Sequence, residues 1–485
     1  MVATEKKRNL DALYIINSII TILLLFGFGH LPAPDPITPM GMQILGVFLG
    51  LLWGWTTVDM IWPSILGLIA LGFTEYGTVT SVMTAGFGNA NVLLVFFCLI
   101  FGAYLDTTGL NKTIAYWFVS RRICVGRPWV FTLMLLLAGY ALGLLVSLFA
   151  AIILIWSLFY SVCDIVGFKK HEKYSTLMVI GLCYAACLGV TPLAFKPLPV
   201  MVLGSMQSML GITVNYWDFA VLTFVVSIIC LLLYWLAMML IFKPDVTPLK
   251  TSTDHFASMR ERKMEAKEKI AAIMLVIFFL LLFLPSFLPT DFFLTKILNG
   301  MTTTGTCAFV VILICCLKYK GERLGDFNQL VRKGVSWDII ILFAATMPVA
   351  SGITSDEAGI LAWVSNVCEP MMAGMGAIMF SCILLVTACF VTQFAHNLIL
   401  GAVFSPIMCT FVGDAGGNPQ VLAVLLSFVL AMALSSPAAS AMSAMMYGNK
   451  EWLSAKEVYK YTWFIFVIVV AITLVVGLPL GNIIF

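Results

Sequence analysis

Apolar segments of about 17–25 residues recur along the whole chain, and this pattern constrains the fold more than any other feature. An α-helix needs about 20 apolar residues to cross the hydrocarbon core of a bilayer. Of the 485 residues, 61% are hydrophobic and only 11% are charged, whereas soluble proteins carry roughly a quarter charged residues. The sequence therefore excludes a soluble enzyme. It predicts an all-α polytopic membrane protein with about 11 transmembrane helices.

The basic residues predict the orientation of the chain in the membrane. Six clusters contain 24 of the 27 Lys and Arg residues, all except Lys112, Lys196 and Lys296. These clusters lie at residues 6–8, 121–127, 169–173, 243–269, 318–333 and 450–460. Because loops rich in Lys and Arg stay in the cytoplasm, we expect a multi-pass cell-membrane protein with a cytoplasmic N-terminus and an outside C-terminus. A net charge of +3 gives no indication of a nucleic-acid partner.

Two apolar stretches begin and end on the same side of the membrane under this rule. Residues 128–162 start and finish at the cytoplasmic face, and residues 372–410 at the outer face. Each stretch has polar residues near its middle, Ser147 in the first and His396 with Asn397 in the second. Both are therefore predicted to be re-entrant hairpins, whose irregular tips are tolerated only where they line a cavity. Two full spans joined by a tight turn are the alternative.

The two halves of the chain resemble each other. Ser147 and His396 are 249 residues apart, while Thr191-Pro192 and Ser436-Pro437 are 245 apart. The hairpins open to opposite sides, so the halves have opposite topology, which is typical of secondary transporters that bind substrate at the midplane. The predicted parts are an N-terminal segment with a retained first helix (1–38), a first inverted repeat (39–242), a cytoplasmic linker (243–268) and a second inverted repeat (269–485).

Each repeat is also expected to contain a broken helix, near 175–205 and 420–447. Three prolines between Pro192 and Pro199 exclude a regular helix there, because proline removes a backbone hydrogen bond and clashes with the preceding turn. The second break, at residues 435–440, is rich in serine and alanine. Freed backbone groups at such breaks need partners, which a bound solute can supply. A simple kink packed by neighbouring helices is the alternative.

Lys196 carries the most information about function. A lysine deep in an apolar span costs a few kcal/mol, so it usually serves a binding site or pairs with a carboxylate. We expect a fixed cation that attracts an anionic substrate, with snorkelling to the outer interface as the alternative. The hairpin tips present free amides that suit anions. The full set of predicted substrate-binding residues is Ser147, Thr191, Lys196, His396, Asn397, Ser436 and Ser440.

Other functional classes find less support in the sequence. Nucleotide-binding, hydrolase, zinc-protease and paired-cysteine motifs do not occur, so neither an enzyme nor a resident cofactor is expected. A cation/proton antiporter would need titratable acids at the broken helices, which contain none. Asp106 and the pair Asp356 and Glu357 lie in matched helices, where Asp106 could pair with Lys112 or cap a break.

Three local motifs resemble the divalent anion/sodium symporter family. GFGNANVLLVFF (86–97) followed by Thr108-Gly109-Leu110 is similar to the family's fourth-span signature. The stretch from Ser336 to Trp363 is similar to its ninth-span counterpart, and VTQFAHNLILGAVFSPI (391–407) is similar to its outer hairpin. This resemblance implies eleven spans, a homodimer, an elevator-type mechanism and a substrate such as a dicarboxylate, citrate or sulfate.

The departures from the family's motifs bear on its coupling ion. The family carries Ser-Asn-Thr at each hairpin tip for substrate and sodium, whereas this chain has Ser147-Leu148-Phe149 and His396-Asn397-Leu398. The asparagine of each broken helix is also replaced, and Lys196 stands within the first such motif. Sodium needs hard oxygen ligands, so sodium coupling is disfavoured and Lys196 is expected to supply the positive charge instead.

The sequence therefore predicts a secondary active transporter of small organic anions, di- or monocarboxylates, working in the lipid bilayer by sodium-independent uptake or exchange. A sodium-coupled dicarboxylate symporter with sodium sites formed by backbone carbonyls is the alternative. A cation/proton antiporter is the more distant one.

Overall fold

The computed structural model describes residues 2–145, 147–249, 264–289, 291–353, 355–360, 362–363, 366, 376–437 and 439–485. Within these residues, ten helices are long and apolar enough to cross a membrane. The count is up to 11 if the bent pair Phe327–Gly334 and Trp337–Ile353, at 79° to each other, forms one span. This agrees with the predicted all-α polytopic fold of about 11 spans.

The first half of the chain contains eleven of the described helices. They are α1 (Val2–Gly27), α2 (Pro39–Thr57), α3 (Ile61–Leu71), α4 (Val79–Phe87), α5 (Ala90–Thr108), α6 (Leu110–Val119), α7 (Pro128–Leu145), α8 (Leu148–Val166), α9 (Lys173–Val190), α10 (Pro197–Leu210) and α11 (Tyr216–Ala237). A π-helical turn, Met238–Phe242, extends α11 to the end of the predicted first repeat.

The second half follows the same order of elements. Its helices are α12 (Ala266–Phe287), α13 (Phe293–Cys316), α14 (Phe327–Gly334), α15 (Trp337–Ile353), α16 (Ala377–Val391), α17 (Asn397–Asp414), α18 (Pro419–Ala431), α19 (Ala441–Gly448), α20 (Ala455–Ile472) and α21 (Leu478–Ile484). A two-stranded antiparallel hairpin, β1 (Lys318–Tyr319) and β2 (Glu322–Arg323), separates α13 from α14.

Both halves contain a short helix before a long one, then a helical hairpin, a broken helix and a final long helix. The hairpins are α7 with α8 and α16 with α17, and the broken helices are α9 with α10 and α18 with α19. Ser147 lies between α7 and α8, and the turn between α16 and α17 lies at residues 392–396, at the polar residues that the sequence singled out. By length, α7 and α8 could each cross a membrane, so the re-entrant depth of the first hairpin stays a prediction. Residues 372–375 of the second predicted hairpin lie outside the described residues.

The predicted linker, residues 243–268, is described only at its two ends. Helix α12 already begins at Ala266, within the predicted linker. Glu268 is buried, although its charge suggested a solvated helix face. Its carboxylate accepts hydrogen bonds from the Thr113 hydroxyl (2.9 Å) and the Glu265 amide (2.9 Å). Glu268 therefore fixes the start of α12 against α6.

Two glycines bring α7 and α9 into backbone contact just before the first hairpin tip and the first break. A Cβ atom added to Gly143 would lie 2.0 Å from the carbonyl oxygen of Ala186. A Cβ atom on Gly189 would lie 2.0 Å from the carbonyl oxygen of Tyr140. Only glycine permits this approach, and it brings the end of α7 beside the end of α9.

Candidate functional site

The first break joins α9 to α10 through a series of turns. Leu193 and Lys196 donate backbone hydrogen bonds to Val190 (3.4 Å) and Leu193 (3.1 Å). Pro197 then opens α10 at its first position, where a missing N–H has no cost. Lys196 is the residue that caps this helix. The buried Thr191 hydroxyl donates to the carbonyl oxygen of Leu188 (2.7 Å), so it stabilises the end of α9.

The first hairpin tip lies against an acidic residue of α5. Ser147 caps the 19-residue helix α8, and its hydroxyl and backbone amide both face the carboxylate of Asp106. The same carboxylate accepts a hydrogen bond from the Asn111 side-chain amide (3.1 Å). Lys196 lies within electrostatic reach of Asp106. Hairpin tip, break and α5 therefore meet in one polar cluster, defined here as the Asp106 cluster (Asp106, Asn111, Ser147 and Lys196).

The sequence did not predict this role for Asp106. Its proposed partner, Lys112, is exposed, whereas Asn111, Ser147 and Lys196 surround the Asp106 carboxylate. An acidic residue inside a predicted span was the available signal, since such residues mark functional sites. The two broken helices contain no acidic residue, but α5 brings the Asp106 carboxylate to the first break.

The second hairpin tip is joined to the second break by Gln393, which the sequence analysis also missed. Its buried side-chain amide donates to the carbonyl oxygens of Cys389 (2.9 Å) and Met432 (3.0 Å). Its side-chain oxygen accepts from the amides of Leu434 (3.2 Å) and Ser435 (3.1 Å). All four hydrogen-bonding positions of Gln393 are therefore used, and three of them hold the broken backbone at residues 432–435.

Of the remaining predicted residues in the second half, Ser440 and Asn397 form hydrogen bonds within the protein. Ser440 donates to the carbonyl oxygen of Ala433 (2.6 Å) and accepts from the Ser443 amide (3.1 Å), so it caps α19. The side-chain oxygen of Asn397 accepts a hydrogen bond from the backbone amide of Leu398 (2.9 Å). The backbone amide of Asn397 donates to the carbonyl oxygen of Ala439 (3.2 Å).

Other polar atoms of the second tip and the second break are buried and make no hydrogen bond within the described residues. Nδ1 of His396 is buried and has no hydrogen-bond partner within the described part of the chain. The same holds for the hydroxyls of Thr392, Ser435 and Ser436. Asp338, at the start of α15, lies within electrostatic reach of His396. We call His396, Thr392, Ser435 and Ser436 the second-tip polar group.

Packing brings the two halves of the site together. Helix α10 packs against both α17 and α18. A Cβ atom on Gly401, one turn into α17, would lie 3.1 Å from Leu198 of α10 and 3.8 Å from Leu430 of α18. The first break therefore adjoins the second hairpin.

A cavity of about 580 Å³ opens beside the first break. Ala194 of the break lines it, together with residues of α5, α10, α12 and α13. Its polar lining is uncharged and includes Asn91, Gln207, Asn299 and Thr303. The cavity lies on the side of the molecule where residues 206–216 join α10 to α11, which the basic clusters predict to be outside.

The family profile described as "Sodium:sulfate symporter transmembrane region" matches residues 12–485. The sodium-dependent dicarboxylate transporter SdcS of Staphylococcus saprophyticus is 22% identical over 464 residues, covering 91% of this chain and 87% of that protein. The sodium-dependent high-affinity dicarboxylate transporter 3 of Caenorhabditis elegans is 20% identical over 302 residues, covering 57% and 52%.

Among solved structures, the YdaH transporter of Alcanivorax borkumensis is similar, with a TM-score of 0.56 at 12% identity, over 91% of this chain and 98% of that one. This likeness concerns the fold alone. The family match over nearly the whole chain confirms the resemblance to symporters of divalent anions, and it confirms a transporter and not an enzyme. The chain therefore belongs to the sodium:sulfate symporter family.

Proposed function

We propose that this protein is a secondary transporter of small organic anions, dicarboxylates in the first place, which works by sodium-independent uptake or exchange. The observation that carries the proposal is the position of Lys196 at the start of α10, beside the tip of the first hairpin. A cation held there attracts a carboxylate. The dicarboxylate transporters among its relatives support the substrate class.

The second-tip polar group supports the binding of a second carboxylate. His396 has an unpartnered ring nitrogen, and the hydroxyls of Ser435 and Ser436 are unpartnered within the described residues. Buried polar atoms without partners are costly, so a ligand that hydrogen-bonds to them is favoured. In this proposal one carboxylate of the substrate faces Lys196 and Ser147, and the other faces the second-tip polar group.

The packing supports movement of the hairpins and broken helices as one body. Helix α7 packs on α9, α17 on α18, and α10 on α17. Helices α2 and α3 pack with α15, and α5 packs with α13 and α14, while α10 contacts α15 and α5 at the boundary between the two groups. We infer an elevator-type mechanism in which the first group carries the substrate past the second, within a homodimer.

Sodium-coupled dicarboxylate symport is the second candidate, and one observation favours it. The Thr392, Ser435 and Ser436 hydroxyls are neutral, hard oxygen donors gathered at the second tip, a donor type that suits sodium. The Asp106 cluster contains a lysine in the corresponding place of the first half, and a cation there repels sodium. Symport with a single sodium ion at the second tip is therefore the form this alternative takes.

Transport of labelled succinate into liposomes that contain the purified protein tests the proposal. We expect uptake that does not require a sodium gradient and that increases when unlabelled succinate is loaded inside. Lys196→Ala should abolish this uptake. Lys296→Ala is the matched control, because Lys296 is exposed and pairs only with the exposed Asp291 among the described residues, and it should leave uptake unchanged.

Strict dependence on sodium would contradict the proposal and favour the symport alternative. Uptake that survives in Lys196→Ala would show that this lysine does not bind the substrate. A protein that moves neither succinate, acetate, citrate nor sulfate under any of these conditions would exclude the proposed substrate class.

A further inference from the structure

Asp106 belongs to a different packing group from the residues that its carboxylate faces. It lies near the end of α5, which packs mainly against α13 and α14 and makes smaller contacts with α15 and α10. Ser147 caps α8 in the first hairpin, and Lys196 caps α10 of the first broken helix. The Asp106 carboxylate therefore bridges the helices proposed to move and those proposed to stay in place.

The groups that face Asp106 are those that a substrate carboxylate would use. They are the hydroxyl and amide at the start of α8 and the ammonium group of Lys196. A helix N-terminus and a lysine both favour an anion. Asp106 is itself a carboxylate, held toward this place by Asn111 (3.1 Å). A protein carboxylate and a substrate carboxylate thus have the same partners.

We propose that Asp106 is a substrate-releasable latch, which holds the first hairpin tip and the first break against α5 until an anion takes its place at Ser147 and Lys196. This inference rests on the proposed transport of organic anions. When the substrate binds, its carboxylate neutralises Lys196 and the bridge to α5 opens. The moving helices then leave α5 without exposing an uncompensated lysine to the membrane interior, which would be costly.

The latch has two measurable consequences. Asp106 competes with the substrate, so its removal should tighten succinate binding. The empty transporter must break the Asp106 bridge in order to reorient. Substitution of Asp106 should therefore lower the barrier to reorientation, because it destabilises the starting state and not the intermediate. Exchange of one anion for another does not require the empty transporter to reorient, so net efflux should rise relative to exchange.

The experiment uses liposomes loaded with labelled succinate and diluted into buffer with or without unlabelled succinate outside. In the wild type, we expect exchange to be much faster than net efflux. Asp106→Asn should raise the ratio of net efflux to exchange about tenfold, within the usual range for coupling between two sites. Succinate should also bind about tenfold more tightly, since a site that is open about a tenth of the time binds that much more weakly.

Asp164→Asn is the matched control. Asp164 is an exposed acid at the far end of the same hairpin helix, α8, and its substitution should change neither rate. Asn111→Ser keeps the carboxylate but loosens its support, and it should change the ratio of net efflux to exchange in the same direction by a smaller factor. This second variant tests the latch even where Asp106→Asn does not fold.

The outcomes separate the latch from the proposed function. If the wild type exchanges succinate while both variants show unchanged or slower net efflux relative to exchange, the latch is refuted and the transport function stands. Slower net efflux relative to exchange would mean that Asp106 travels with Lys196 as its counter-ion. If the wild type moves no anion among succinate, acetate, citrate and sulfate, the proposed function fails and the latch fails with it.

Discussion

The contact between Gly143 and Gly189 provides the most direct test of how the hairpin is positioned. In Gly189→Ala the new methyl group would lie 2.0 Å from the Tyr140 carbonyl oxygen and 2.9 Å from the Leu144 amide nitrogen. Ordinary contact begins near 3.4 Å, so α7 and α9 would have to separate by about 1.4 Å. The opposing atoms belong to helical backbone and cannot rotate away.

The cost follows from this geometry. Overpacking in a dense core usually costs about 1–3 kcal/mol, and a clash with rigid backbone belongs at the upper end of that range. We therefore expect Gly189→Ala and Gly143→Ala each to lower the free energy of unfolding by about 3 kcal/mol. The displaced hairpin tip should also reduce succinate uptake, because Ser147 would no longer lie beside the first break.

Thermal unfolding in detergent, followed by tryptophan fluorescence, measures the effect. Gly102→Ala in α5 is the matched control, since a Cβ atom there meets no atom within 4 Å. Alanine is favoured over glycine in a helix by up to about 1 kcal/mol, so this control should keep or raise the unfolding midpoint. If the Gly143 and Gly189 variants unfold at the same temperature as Gly102→Ala, the backbone contact described above does not exist.

Four other predictions follow from the described contacts, the charge pattern and the family resemblance. Gln393→Leu should lower the free energy of unfolding by about 2–5 kcal/mol, because it leaves the Leu434 and Ser435 amides without their acceptor; thermal unfolding checks this, and an unchanged midpoint would refute it. Glu268→Leu should cost about 1–3 kcal/mol in the same assay by removing the acceptor of Thr113, whereas the exposed Lys267, changed to Ala, should have no measurable effect. A membrane-impermeant label on a cysteine added after residue 485 should react in intact cells if the C-terminus is outside. Light scattering of the purified protein should give twice 53.2 kDa if it is a dimer.

The sequence was sufficient for the class of protein and for the order of its elements. Long apolar segments require helices in a membrane, and they account for the candidate spans. Three prolines within nine residues decide the first break locally, whereas the single prolines Pro285 and Pro348 leave α12 and α15 continuous. The turn at Ser147 and the turn ending at His396 were equally visible as polar residues within apolar stretches.

The roles of individual polar residues were only partly predictable. Thr191 and Ser440 were expected to bind substrate, but their hydroxyls cap and stabilise helix ends. Their assignment as binding residues stays a prediction. Ser436 and His396 keep an atom without a partner among the described residues. A hydroxyl near a break can either bind substrate or cap a helix end. Only the positions of the surrounding carbonyl groups decide between these two roles.

Hydropathy, basic clusters and proline are signals that depend only on residues close together in the sequence. The sequence by itself therefore determined the membrane fold, the hairpin tips and the breaks. Only the tertiary structure decided that Asp106 faces Ser147 and Lys196, and that Gln393 holds the second break. These contacts join segments that are distant in sequence. They exist because glycines allow α7 and α9 to touch and because α10 packs between the two halves, and no local pattern records which helices will meet.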